Sequence, residues 1–229
     1  GAVNTVIATI QLGIPVARIE LLDEVQMDAV NRYAKLDYPV APTLFFEFHG
    51  ISERAAIEQA EAVREIAAEQ GGAAFRWAVH EEDRNQLWHA RHNALYAALA
   101  LRPGAKGWTT DVCVPISALA QCIVETKADN AQSSLIIPLA GHVGDGNFHL
   151  IYVIDPENDE ELAEAHRLNE RMVRRALAMG GTCTGEHGVG FGKMAYLPAE
   201  HGEALDVMRA IKQALDPRNL MNPGKMLRV

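Results

Sequence analysis

The stretch Gly141-His142-Val143-Gly144-Asp145-Gly146-Asn147-Phe148-His149-Leu150 is the part of the sequence around which the rest of the fold can be arranged. Its Asp145-Gly146 pair lies between apolar residues, a pattern that predicts a β-hairpin with a two-residue turn. In that register His142 pairs with His149 on one face of the hairpin, with their Cβ atoms roughly 4.5–5.5 Å apart. Two imidazoles at this separation suit the binding of one metal ion.

A second stretch, Thr184-Gly185-Glu186-His187-Gly188-Val189-Gly190, offers further ligands. It places a carboxylate and a third imidazole side by side among glycines, which let the backbone approach a bound group closely. We therefore expect His142, His149 and Glu186 to bind a divalent metal, Zn²⁺ or Mn²⁺, because two histidines and one glutamate are a common catalytic ligand set. Chance is the competing explanation, since Asp-Gly hairpins are frequent and the chain has nine histidines. Glu186-His187-Gly188 is also compatible with a simple helix end.

The composition is that of a globular protein, and it argues against several partners. The chain has 229 residues, enough for one full core, with 48% hydrophobic and 22% charged residues. A formal net charge of −9 argues against nucleic acid or an anionic membrane as the main partner. No run approaches the roughly 18 apolar residues of a membrane span, and the start lacks the layout of a signal peptide.

The three cysteines, Cys113, Cys122 and Cys183, are odd in number and form no Cys-x-x-Cys pair. We expect them to be reduced residues packed in the core of a cytoplasmic protein. Cys183 lies shortly before Glu186 in the sequence, which makes it a secondary candidate for a metal ligand.

Strand and helix patterns alternate along the chain and predict an α+β fold, with one domain over residues 1–229. We expect a mainly antiparallel sheet with helices packed on one side and the hairpin near its middle. The predicted strands cover residues 17–22, 43–49, 73–79, 108–116, 135–140 and 148–154. The predicted helices cover residues 2–12, 23–34, 52–70, 81–101, 117–131, 155–179 and 202–215, with N-caps at Asp23, Ser52 and Ser117.

Arg91 is an anomaly within the helix predicted over residues 81–101. It falls on the apolar stripe of that helix, which consists of Leu87, Ala94, Ala98 and Leu101. An inward-facing guanidinium requires an anion or a carboxylate partner, so Arg91 is a candidate for binding an acidic ligand. A structural ion pair, or a surface arginine whose stem covers apolar side chains, explains the position equally well.

Several motifs together resemble the C-terminal domain of the FAD-linked oxidases. They are the stretch 142–149, Gly185-Glu186-His187-Gly188 and Asn222-Pro223-Gly224-Lys225. That family contains D-lactate dehydrogenases, the flavoprotein subunit of glycolate oxidase and D-2-hydroxyglutarate dehydrogenase. Residues 10–20 and 110–115 are most similar to its cytochrome-linked D-lactate dehydrogenase branch. The resemblance extends over nearly the whole chain.

The resemblance implies a ferredoxin-like domain that closes a substrate site over an FAD bound by a separate N-terminal domain. It assigns the metal to His142, His149 and Glu186. It also assigns His187 as the catalytic base for the substrate hydroxyl and Arg91 as the group that binds the substrate carboxylate. Such a set suits the oxidation of a 2-hydroxy acid, in which a hydride leaves C2 for the flavin and a proton leaves the hydroxyl for a base.

The resemblance also concerns the cofactor and the substrate. It assigns Asn222, Gly224 and Lys225 to the binding of the cofactor. Family members that prefer dicarboxylic substrates carry a lysine near Thr109 and an asparagine near Ile151. This chain has neither, which favours a short monocarboxylic D-2-hydroxy acid such as D-lactate.

The sequence contains no Gly-rich pyrophosphate loop between a strand and a helix, and it opens on a predicted helix as though cut from a longer protein. We therefore expect a domain whose partners are an N-terminal FAD domain of the same protein, a small 2-hydroxy acid, and a cytochrome, quinone or flavoprotein as electron acceptor. A homodimer is a further expectation, as is a location in the cytoplasm or at the periphery of the inner membrane through that acceptor. Two other classes stay open: a free-standing metallohydrolase with the same ligands and a non-catalytic metal-binding module.

Overall fold

The computed structural model of the protein describes residues 1–228, so Val229, the last residue of the predicted domain, lies outside the described part. The strands form one open sheet in the order β2-β1-β5-β6-β3, and β4 pairs with β6 next to β3. Every pairing is antiparallel. The predicted α+β fold with a mainly antiparallel sheet is thus confirmed. The strands are β1 (Arg18–Leu22), β2 (Thr43–Glu47), β3 (Lys106–Thr109), β4 (Val112–Cys113), β5 (Leu139–Gly141) and β6 (Asn147–Ile154).

The helices connect these strands and cover the sheet. They are α1 (Ala2–Gln11), α2 (Glu24–Ala34), α3 (Glu53–Glu69), α4 (Glu81–His92), α5 (Ala94–Ala100), α6 (Ile116–Asn130), α7 (Asp159–Ala178), α8 (Leu197–His201) and α9 (Ala204–Leu215). Within residues 1–228, none of them combines the length and apolar character needed to cross a membrane.

Two of the predicted helix caps are confirmed and one is wrong. The carboxylate of Asp23 accepts a hydrogen bond from the backbone N–H of Gln26 at 2.9 Å, and the hydroxyl of Ser52 accepts one from Ala55 at 3.2 Å. Ser117 is not a cap, because α6 already begins at Ile116, directly after Pro115. Ser117 therefore lies inside the first turn of the helix.

The main hydrophobic core lies on one face of the sheet. Side chains alternate along β6, and Phe148, Leu150 and Tyr152 point into this core together with residues of several helices. Buried side chains on that face include Val6 of α1, Leu119 of α6 and Met172 of α7. Phe148 and Tyr152 are among the largest fully buried side chains described.

The opposite face carries smaller apolar clusters. Leu22 of β1 packs with Met27 of α2 and Ala97 of α5, and Ile151 of β6 packs with Ala98 of α5. The larger group of helices covers the main-core face, while α2 and α5 cover part of the other, an arrangement that the sequence pattern did not reveal. His149 alternates with the core residues of β6 and therefore lies on this second face.

Several predicted elements differ from the structure. The strand expected over residues 108–116 is divided into β3 and β4 and ends where α6 begins, and the strand expected over residues 135–140 is formed only as β5. Residues 73–79 were expected to form a strand, but they lie outside the sheet. Ala74 there adopts a φ of 56°, a left-handed conformation that interrupts an extended chain. The helix expected over residues 81–101 is divided at Asn93, which ends α4 and precedes α5.

The predicted hairpin register is also wrong. Ala140, and not His142, lies opposite His149. Val143–Asp145 form a short 3₁₀ turn that Gly146 closes at a φ of 79°, so the loop is longer than an Asp-Gly turn. The backbone N–H of Asn147 donates to the carbonyl of His142 at 3.3 Å. Because side chains alternate with a period of two, this displacement by two residues still leaves both imidazoles on one face.

Candidate functional site

His142, His149 and Glu186 converge on the second face of the sheet. Glu186 Oε1 lies 3.3 Å from His142 Nε2 and 3.0 Å from His149 Nε2. One ligand atom from each residue can be chosen so that all three lie within 4.8 Å of one another. The two imidazole rings meet edge to face with centroids 5.6 Å apart. The structure thus brings the three predicted ligands together, although they come from two separate segments of the chain.

The orientation of both imidazoles fits a metal ion. His149 Nδ1 lies 3.0 Å from the carbonyl oxygen of Thr110, and His142 Nδ1 lies 2.7 Å from Glu20 Oε1. A carbonyl or an ionised carboxylate can only accept, so Nδ1 carries the proton in both rings. Each ring therefore presents Nε2, and a histidine that donates its other N–H in this way is the usual form of a metal ligand.

The two imidazoles differ in their electrostatic environment. The hydrogen bond with Glu20 raises the pKa of His142. Burial lowers the pKa of His149, because the charged ring would lose its hydration. Burial alone would raise the pKa of Glu20, but its contacts with His142 and Arg91 outweigh that effect and lower it. Glu20 is therefore ionised around neutral pH.

Asp111 holds the segment that carries Glu186 and His187. Its Oδ2 accepts hydrogen bonds from the backbone N–H of Glu186 at 2.9 Å and of His187 at 2.8 Å. The same oxygen accepts from the hydroxyl of Thr184 at 2.9 Å, and Oδ1 accepts from the side-chain amide of Asn147 at 2.6 Å. Burial opposes ionisation, yet the donors from His187, Asn147 and Glu186, together with the nearby Lys193 ammonium, hold the pKa of Asp111 far below its usual range. A segment without regular secondary structure is thus fixed by one buried carboxylate.

His187 lies beside the three candidate ligands. Its ring stacks on that of His149 with centroids 4.9 Å apart and an interplanar angle of 12°. Its Nε2 is 3.8 Å from Glu186 Oε1. The side chains of Glu186 and His187 are 49% and 43% exposed, so the cluster opens to solvent on their side. A small molecule can therefore reach both the cluster and the His187 ring.

Arg91 also reaches the cluster, and it has a partner there. Its Nε donates to Glu20 Oε2 at 3.0 Å, and its Nη2 lies 3.5 Å from His142 Nε2. The Arg91 side chain is 18% exposed. An ion pair thus explains the charge on the apolar stripe, as one of the alternatives from the sequence had it. A guanidinium has five N–H donors, so these contacts leave donors for a bound anion.

The remaining predicted site residues lie in the C-terminal tail. Lys225 donates its backbone N–H to Asn222, and its ammonium lies 5.3 Å from the centroid of the Phe191 ring. Gly224 adopts a φ of 72°. Among residues 1–228, the hydrogen bonds and ion pairs of the cluster do not involve Asn222, Gly224 or Lys225. Their prediction as cofactor-binding residues stays a prediction.

Cys183 is not part of the cluster described above. It is a free cysteine buried in the main core, and burial raises its pKa to about 12. A thiol in that environment stays protonated and is a poor metal ligand. Cys113 and Cys122 are also free, as expected from the sequence. Cys122 is packed in the main core, but Cys113 is only partly buried, so the expectation that all three lie in the core is wrong for Cys113.

Sequence reasoning missed the residues that support the cluster from behind, namely Glu20, Asp111 and Asn147. One signal was present for Glu20, because it is a carboxylate inside the otherwise apolar run Ile19-Glu20-Leu21-Leu22. Asp111 and Asn147 carried no comparable signal, since each is a short polar residue near a strand end.

The fold of this chain also occurs in a solved structure of a larger protein. The solved structure of a 4-ethylphenol oxidase from Gulosibacter chungangensis aligns with 98% of this chain and 51% of its own, at a TM-score of 0.68. Sequence identity is 16%, so this likeness concerns the fold alone. The family follows from the sequence: the model for FAD linked oxidases, C-terminal domain, matches residues 1–226, and the chain belongs to that family.

Curated relatives share this domain as part of longer proteins. A probable mitochondrial D-lactate dehydrogenase from Danio rerio is 56% identical, over 99% of this chain and 46% of the relative. A mitochondrial D-lactate dehydrogenase (cytochrome) from Arabidopsis thaliana is 48% identical, over 99% of this chain and 40% of the relative. The glycolate oxidase subunit GlcD of Bacillus subtilis is 34% identical, over 98% and 48%. The chain thus spans less than half the length of these relatives.

Proposed function

We propose that this chain is the substrate- and metal-binding domain of an FAD-dependent dehydrogenase that oxidises a D-2-hydroxy acid to a 2-oxo acid. The observation that carries the proposal is the convergence of His142, His149 and Glu186, with His187 and Arg91 beside them. The names of the relatives, D-lactate dehydrogenase and glycolate oxidase subunit, point to the same class of substrate.

His142, His149 and Glu186 would be the ligands of a divalent metal, with Zn²⁺ and Mn²⁺ as the candidates. Two features of this chain support the assignment. Both imidazoles present Nε2 towards Glu186, and both donate Nδ1–H to an acceptor behind them. In a longer protein of this family, FAD would supply the hydride acceptor, and a metal held by these three residues would supply a Lewis acid for the substrate hydroxyl.

Side chains around the cluster would accept the substrate proton, bind the substrate carboxylate and contact the cofactor. His187 would take the proton of the substrate hydroxyl, because its exposed ring lies against His149 beside the candidate ligands and imidazole is the side chain most often used as a general base. Arg91 would bind the substrate carboxylate with the guanidinium donors that Glu20 does not use. Asn222, Gly224 and Lys225 would bind the cofactor on the side that meets the FAD domain.

The substrate is proposed to be a short monocarboxylic acid such as D-lactate. Thr109 and Ile151 are cross-strand partners on β3 and β6, and His149 lies two residues before Ile151 on the same strand face. The resemblance implies a lysine and an asparagine near these positions in family members that prefer dicarboxylic substrates. Neither side chain here is charged, which supports a substrate with a single carboxylate.

The electron acceptor and the cellular location remain part of this proposal. A cytochrome, a quinone or another flavoprotein at an inner membrane would accept the electrons, with the protein peripheral to that membrane or in the cytoplasm. The words mitochondrial and cytochrome in the names of relatives agree with an acceptor at an inner membrane. The protein is also proposed to form a homodimer.

Metal content tests the central assignment. His149→Ala should lose bound Zn²⁺ or Mn²⁺ after mild dialysis, as measured by mass spectrometry of the metal. His166→Ala is the matched control, because this exposed histidine lies on α7 and its ring contacts Trp108, with ring centroids 4.3 Å apart and the planes tilted by 53°. Equal metal content in the parent and in His149→Ala would contradict the assignment.

The absorption spectrum and the activity of the full-length protein distinguish the proposed dehydrogenase from the competing metallohydrolase. A flavin spectrum together with oxidation of D-lactate by a dye acceptor supports the proposal. A colourless full-length protein that hydrolyses esters or phosphates, and loses this activity in His187→Ala, would favour the hydrolase instead.

A further inference from the structure

Glu20 is a carboxylate in an unusual place. It lies within the apolar run of β1 and is 2% exposed, although burying a charged group is costly without strong partners. The register between β1 and β5 pairs Leu21 with Gly141, and continuing it by one residue places Glu20 opposite His142. Glu20 thus approaches the cluster from the interior of the sheet, opposite to its solvent-exposed side.

Each carboxylate oxygen of Glu20 accepts a hydrogen bond from a different residue of the proposed site. Oε1 accepts from His142 Nδ1 at 2.7 Å, and Oε2 accepts from Arg91 Nε at 3.0 Å. The first contact keeps the proton of His142 on Nδ1, so that Nε2 faces Glu186. The second contact holds the guanidinium with Nη2 at 3.5 Å from His142 Nε2.

We propose that Glu20 is a positioning residue that sets the tautomer of His142 for metal binding and at the same time orients Arg91 towards the substrate carboxylate. This inference rests on the proposed function, because it assigns Glu20 a role towards the same metal and the same acid. A purely structural ion pair between Glu20 and Arg91 would not account for the shorter contact, which goes to His142.

Glu20→Gln tests this role, because a neutral amide cannot accept from both partners. If its oxygen accepts from His142, its NH₂ group opposes the N–H of Arg91. If its NH₂ group donates to His142 Nδ1, the proton of that ring moves to Nε2, where the metal would bind. Either arrangement should weaken Zn²⁺ or Mn²⁺ binding by about 10- to 100-fold, the usual effect of losing a carboxylate behind a ligating histidine.

The experiment measures Zn²⁺ affinity and kinetics in the full-length protein, together with the tautomer of His142 by nitrogen NMR of metal-free, histidine-labelled protein. Glu47→Gln is the control, because Glu47 on the neighbouring strand β2 forms a more exposed ion pair with Arg18 at 3.4 Å. The control should keep wild-type metal affinity. Glu20→Gln should lose metal affinity and raise KM more than it lowers kcat, and the His142 tautomer signal should change where the new NH₂ group donates to Nδ1.

Glu20→Asp keeps the charge and shortens the side chain, so it tests the positioning role if Glu20→Gln does not fold. It should bind Zn²⁺ more weakly than wild type, with the Nδ1–H tautomer retained. Wild-type metal affinity in a folded Glu20 variant would overturn the positioning role while the proposed function stands. Absence of metal binding to His149 in the wild-type protein would instead overturn the proposed function, and the NMR signal would still test the contact between Glu20 and His142.

Discussion

Gly185 should tolerate no side chain, and this prediction tests the geometry of the Glu186 segment. A Cβ atom built on Gly185 would lie 1.7 Å from Asn147 Nδ2 and 2.7 Å from Asp111 Oδ1, whereas ordinary contact begins at 3.4 Å. Asn147 cannot swing aside freely, because it is buried and its amide donates to Asp111 at 2.6 Å and to the carbonyl of Val112 at 3.2 Å. In Gly185→Ala the segment itself must therefore move.

The cost follows from the hydrogen bonds that such a movement breaks. The N–H groups of Glu186 and His187 both donate to the ionised Asp111. Hydrogen bonds to charged groups contribute about 1.5–3 kcal/mol each, so two set an upper limit of about 6 kcal/mol. Partial relaxation of the exposed segment lowers the expected loss to about 2–4 kcal/mol. For a chain of this length that loss corresponds to a decrease of roughly 4–16 °C in the melting temperature.

Differential scanning calorimetry and metal analysis of the purified protein measure both consequences. Gly192→Ala is the matched control in the same segment, because a Cβ on Gly192 meets nothing within 4 Å and its backbone does not require glycine. The control should stay within about 0.5 kcal/mol of wild type and retain its metal. If Gly185→Ala melted and bound metal like Gly192→Ala, the proposed anchoring of the segment by Asp111 would be refuted.

Three further predictions address the substrate, the tail and the chain itself. Arg91→Ala in the full-length protein should cost about 2–5 kcal/mol in kcat/KM, and an unchanged value would leave Arg91 as a structural residue. Hydrogen bonds from Lys212, Leu220 and Met221 lower the pKa of Asp216 to about 2. Its stabilising effect is thus complete above pH 4, roughly, and is lost as the pH falls towards 2, so wild type should lose more melting temperature over this range than Asp216→Asn. The chain by itself should fold yet neither bind FAD nor oxidise D-lactate, and turnover that depends on added FAD and on His187 would contradict this.

Local patterns were sufficient to predict much of the fold. The strands over Arg18–Leu22 and Thr43–Glu47 and the caps at Asp23 and Ser52 follow from alternation and side-chain hydrogen bonding, which involve near neighbours. Residues 73–79 show the limit of this reasoning. They share the composition of a strand, but whether a strand forms depends on a neighbouring strand with which to pair, and no local pattern reports on that neighbour.

The candidate ligands were predictable, and the residues behind them were not. His142 and His149 were found on one face even though their register was wrong, because an error of two residues preserves the face. Asp111 and Glu186 are far apart in the sequence and meet only in the fold. The contact between Glu20 and His142 likewise depends on which strands are neighbours in the sheet, and that order is not a local property.

The alternation of β6 has a consequence for inherited variation in this protein. Phe148 points into the main core and His149 points into the cluster, although they are adjacent in the chain. Loss of the Phe148 ring would cost about 3–5 kcal/mol and reduce the amount of folded protein in the cell. Loss of the His149 ring would in addition remove a candidate metal ligand, so each molecule that still folds would bind metal less tightly. Two missense changes in neighbouring codons would therefore reduce activity for different reasons. A compound that stabilises the folded state could restore the Phe148 variant and not the His149 variant.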